Sequence, residues 1–151
     1  MKSTPVGMIV TLIVGATLIG CVDVRDFEGT WTGTRVGDAE PLRIGFADEV
    51  GAVLIIEDAD MRSLRAQLTL GNDLISGATI QQIPGTQADV LSEITFAGAP
   101  SQVYMAFAAT TDSGGDAMVM VALYNDSRVE VRVLRGGARP LYGIFLLWRE
   151  D

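Results

Sequence analysis

Histidine is absent from the 151 residues, and only one cysteine, Cys21, is present. Without histidine there is no His-based triad, acid–base pair or metal ligand. One thiol excludes an intrachain disulfide and a cysteine–zinc cluster. Ser101, Ser113 and Ser127 have no imidazole to activate them. The only lysine, Lys2, stands at the far N-terminus, so an amine base is not at hand either. The carboxylates Glu57, Asp58 and Asp60 lie close together. They lack the glycine turn and distal glutamate of a calcium loop and read as a solvated turn. Asp112-Ser113-Gly114-Gly115-Asp116 reads as a turn with polar caps. These residues predict a protein that is not an enzyme, holds no metal and needs no cofactor. Eleven basic residues against nineteen acidic ones give a net charge of −8, a surface that repels phosphate. Nucleic acid is therefore not an expected partner.

The thiol has a distinct setting. After Lys2, the run Val6–Ile19 carries no charge and ends Leu18-Ile19-Gly20-Cys21. Fourteen helical residues rise about 21 Å, short of the roughly 30 Å hydrocarbon core but right for the apolar region of a signal peptide. Leu-Ile-Gly-Cys resembles the lipobox of bacterial lipoproteins. The resemblance implies cleavage between Gly20 and Cys21, a diacylglycerol on the Cys21 sulfur and an acylated amine. Two or three acyl chains, at about 0.8 kcal/mol per buried methylene, make a stable anchor. Val22, not an aspartate, follows the cysteine. In a source with two membranes this favours the periplasmic face of the outer membrane. The chain then divides into a signal peptide (1–20), a lipidated cysteine with a short tether (21–28) and one domain (29–151).

The domain's apolar residues recur with a period of two. Leu64, Ala66, Leu68 and Leu70 alternate with Arg65, Gln67 and Thr69. Val129, Val131 and Val133 alternate with Arg128, Glu130 and Arg132. Such alternation predicts antiparallel strands with one buried face. Further strands are expected at Thr30–Val36, Leu42–Ala47, Ala52–Glu57, Ile75–Ile83, Val90–Phe96, Gln102–Ala109, Ala117–Tyr124 and Gly143–Arg149. Gly-, Pro- and Asn-rich turns separate them. Asp60–Leu68 also has a helical pattern, but alternation over Leu64–Leu70 favours strand. The expected fold is all-β: an up-and-down antiparallel barrel of eight to ten strands, which leaves no free edge. Ala117–Tyr124 and Val103–Ala109 are apolar on both faces, so either something covers them or they form an interface.

Phe27-Glu28-Gly29-Thr30-Trp31, together with Tyr142–Arg149 at the chain end, resembles the calycins, the lipocalin and fatty-acid-binding-protein superfamily. That resemblance implies that Gly29, Trp31 and Arg149 close one barrel end, the guanidinium packing across the indole. It also makes Arg35 and Arg135 candidate ligand-binding residues. Arg35 shares parity with Trp31, and Arg135 with Val133, so both would point inward, where an arginine can hold a carboxylate. Gly37–Pro41 allows only a turn where fatty-acid-binding proteins insert lid helices. The leading functional expectation is a membrane-anchored, non-catalytic binding module for a small apolar or amphipathic ligand. The alternative is an envelope protein-interaction module, an inhibitor, assembly factor or scaffold, with a filled barrel. A cavity marks the first, and a filled interior with an exposed apolar patch marks the second.

Overall fold

Residues 23–36, 50–71, 75–82, 96, 98–109, 117–125, 127–137 and 140–151 are described in the computed structural model. Their alternating sequences form eight strands: β1 (Gly29–Arg35), β2 (Gly51–Ala59), β3 (Leu64–Leu70), β4 (Ile75–Gln82), β5 (Gln102–Ala109), β6 (Ala117–Tyr124), β7 (Arg128–Arg135) and β8 (Leu141–Arg149). Each pairs antiparallel with the next, and β1 pairs with β8, so the sheet closes into a barrel. Eight is the lower end of the expected range. The expected strand Leu42–Ala47 and residues 90–95 of Val90–Phe96 lie outside the described residues, and Phe96 itself is not in a strand.

The register sets the barrel's girth. From Gly29 the pairs run through Ile56, Ala66 and Ile80 to Ala108. From Arg35 they run the other way through Phe145, Val131 and Val121 to Tyr104. The two routes meet on β5 with a stagger of roughly ten residues, which tilts eight strands by about 40° and leaves room for side chains or one small ligand. Trp31, Leu54, Leu68, Tyr104, Leu123, Val131, Phe145 and Leu147 are among the inward residues of a single hydrophobic core.

Local deviations have local causes. A bulge between Ile56 and Asp58 turns both Glu57 and Asp58 outward and buries Ala59, so two consecutive acids are solvated without breaking the core face. The helical pattern over Asp60–Leu68 resolves into a turn and then β3. The Asp60 carboxylate accepts from the backbone N–H of Arg62 (2.6 Å) and Ser63 (2.8 Å) and from the Ser63 hydroxyl (2.8 Å), fixing the tight connection. Where β1 and β8 meet, a Cβ on Gly33 would fall 1.9 Å from the Leu146 carbonyl oxygen. Only glycine lets these two backbones approach.

Candidate functional site: two barrel ends and a covered outer face

Antiparallel order sends the starts of β1, β5 and β7 and the end of β8 to one end of the barrel. There the 3-10 turn Val24–Phe27 folds over the opening, with Asp23 as its cap and Val24 and Phe27 buried. Trp31 is 1% exposed, and its indole N–H donates to the Phe27 carbonyl at 2.8 Å. The Phe27 ring stacks on it with centroids 5.5 Å apart. Arg149, the register partner of Trp31, holds its guanidinium 5.6 Å from the indole. It also donates to the Asp26 carbonyl at 3.0 Å and to the Glu28 carbonyl. Gly29 adopts a φ of +133°, and a Cβ there would lie 3.1 Å from the Arg149 guanidinium. The structure thus brings Gly29, Trp31 and Arg149 together around one barrel end. The 3-10 turn is a further part of that end which strand alternation does not reveal.

Beside this end, Tyr104 points inward and donates its hydroxyl to the Asp60 carbonyl at 2.6 Å. Burial, with the Asp60 charge nearby, pushes the phenol up to about 12. The Asp60 carboxyl is held below its ordinary value by the backbone N–H groups of Arg62 and Ser63 and by the Ser63 hydroxyl.

The opposite end carries Arg35 at the close of β1 and Arg135 at the close of β7, on either side of β8. Both are buried, at 5% and 2% exposure. Nearby inward positions are small: Ala106 and Ala108 on β5, Ala117 on β6 and Gly143 on β8. The three alanines are fully sealed from solvent. Among the described residues, the two arginines are the large polar inward side chains of this end.

A third cluster lies outside the barrel. Glu130 sits on the outward face of β7 yet is 1% exposed. Its carboxylate accepts from the Tyr124 hydroxyl (2.8 Å) and from Arg132 (2.5 Å). Arg128 lies 4.2 Å over the Tyr124 ring, and Arg132 lies 5.0 Å from the Phe96 ring. Burial and the Glu130 carboxylate raise the Tyr124 phenol. Met105, Met120, Ala122 and Ile144 are buried on the same outer surface. Alternation alone places Glu130 and Arg132 in water. The usable signal was the pair of strands apolar on both faces, whose outward Met105, Met120, Ala122 and Tyr124 are buried while Phe107 is 48% exposed.

Compared with known proteins, the chain matches no family model, no curated protein and no solved structure. Function must therefore come from this geometry. Among the described residues, no cluster of three or more Cys, Asp or Glu is placed to hold a metal ion. Glu57 is engaged by Arg65 (3.2 Å) and Gln67 (2.7 Å), and Asp60 by its own turn. Gly20 and Cys21 lie outside the described residues.

Proposed function

We propose that the chain is a membrane-anchored envelope lipoprotein with a calycin-like barrel. The barrel is a filled, non-catalytic scaffold that engages an envelope protein partner through its outer surface. The observation that carries the interaction reading is the sealed interior. Among the described residues, apolar inward side chains from Trp31 at one end to Ala106, Ala108 and Ala117 near the other are 0–3% exposed. A ligand as large as a fatty acid needs roughly 300 Å³ or more of open volume. The anchor reading rests on Leu18-Ile19-Gly20-Cys21 behind a short uncharged run. In a source with two membranes, Val22 after the cysteine favours the periplasmic face of the outer membrane.

One observation supports the second reading, a site for a small amphipathic acid. Two buried arginines, Arg35 and Arg135, flank β8 at one end, where a carboxylate head could lie between guanidinium groups. Native mass spectrometry of the mature chain taken from its own envelope separates the two. A filled scaffold flies without adduct. A stoichiometric lipid mass that disappears in Arg35→Ala and Arg135→Ala would establish the second reading instead. The anchor has its own test: palmitate should label the parent chain and not Cys21→Ser, and label persisting in the variant would remove the lipoprotein assignment.

A further inference from the structure

We propose that the outer wall formed by β8, β1 and β2 docks on the lipid surface that carries the Cys21 anchor. This deepens the lipoprotein reading and rests on it. Trp148, Thr32 and Val53 are register partners and form one row across the three strands. Thr30 and Ile55 form the next row. Trp148 is 51% exposed, Ile55 41% and Val53 36%. On a chain with nineteen acidic residues this wall is uncharged at Thr30, Thr32 and Thr34 on β1, Leu146 and Trp148 on β8, and Gly51, Val53 and Ile55 on β2, with Glu150, whose N–H donates to the Thr30 carbonyl, at its edge.

The chain's own path names the occupant. Cys21 lies two positions before Asp23, and two extended residues reach only about 7 Å. From Asp23 the chain enters the 3-10 turn over the Trp31 end. The same end holds Ile55 opposite Thr30, and Trp148 beside the Arg149 that grips Asp26 and Glu28. Trp148, Val53 and Ile55 therefore lie on the anchor side of the barrel, whereas Phe107 and Leu134, also exposed, lie near the opposite end. An indole with one apolar body and one N–H prefers the headgroup boundary. A second copy or a protein partner fits less well. Three strands spaced by about 4.8 Å, over three outward positions each, offer a face of at most about 300 Å², far below the roughly 800 Å² per partner of a stable protein interface. Tethering makes so small a lipid contact effective, because the wall is already held at the surface.

The test uses the mature chain reconstituted in phosphatidylcholine vesicles, with its intact mass recording the acyl chains. The protein has two tryptophans, and Trp31 is buried. The parent minus Trp148→Phe difference spectrum thus isolates the wall. With lipids brominated near the headgroup, that component should be blue-shifted and quenched about two-fold, and less so with bromine near the bilayer midplane. Full acylation with no quenching overturns docking alone and leaves the anchor standing. A mass without acyl chains overturns the anchor and the docking together. A concentration-dependent blue shift without bromine quenching, accompanied by cross-linked pairs, assigns the wall to a second copy and also overturns the proposal.

Discussion

Arg149 and Trp31 meet at one barrel end, but the two side chains contribute unequally. The indole is enclosed by Phe27, the guanidinium and the core, and it satisfies its one N–H internally. Trp31→Ala should cost about 3–5 kcal/mol, the scale of a large buried aromatic. Arg149 is exposed and its stack is partly wet, so Arg149→Ala should cost about 1 kcal/mol. Urea unfolding of the two variants measures both. A Trp31→Ala chain as stable as the parent would disprove the closing role of that residue. Glu130 is the second sensitive residue. Its carboxylate is buried between the Tyr124 hydroxyl and Arg132, whose side chain is only 18% exposed. Glu130→Ala removes the acceptor and leaves a part-buried cation without that partner, a loss of about 2–3 kcal/mol. Glu130→Gln keeps an acceptor and should lose less in the same assay.

The Asp60 turn and the first residues of β5 form a unit whose stability depends on alkaline pH. Tyr104 has its phenol raised to about 12 while donating to the Asp60 carbonyl. A raised phenol means that the folded chain keeps a proton the unfolded chain has already lost. The stabilisation is complete below pH 10, the ordinary phenol value, and is lost as pH rises through about 12. The urea midpoint should therefore fall steadily between pH 10 and pH 12. Tyr104→Phe should flatten that fall, with Tyr124, raised as well, accounting for the remaining slope. Elements of this kind differ in how far sequence reveals them. β3 was plain from alternation, because it buries one face and wets the other, and β7 shows the same alternation although its outward Glu130 is buried. The Trp31–Arg149 meeting was legible because β1 and β8 must pair in any closed meander. The burial of Glu130 was not. Parity says which face a residue occupies but not whether another segment lies over that face. The 3-10 turn Val24–Phe27 was also hidden, since four residues are too few to show periodicity. The partial covering of β5 and β6, which buries Met105 and Met120 but not Phe107, was half visible, as apolar residues on both faces with no covering element named.

For the molecule as a whole, closure pairs β1 with β8, strands more than a hundred residues apart in the chain. Until that seam forms, the nascent sheet has two open edges whose N–H and C=O groups are ready templates for other strands. Contacts of such long range make folding slow, on the order of milliseconds to seconds, and the seam is a natural final step. Stopped-flow refolding followed by Trp31 emission should show this. Gly33→Ala, whose added methyl collides with Leu146 at the seam, should slow the last phase or abolish it. The consequence concerns birth order. In a chain tethered through Cys21, the first strand would wait at the membrane while the rest of the sheet emerges, and it could find β8 only after Arg149 had crossed. For that interval an unfinished ribbon is held at the very surface where other unfinished ribbons arrive. Its protection then depends on how soon the last nine-residue strand is delivered, not on how stable the finished barrel is.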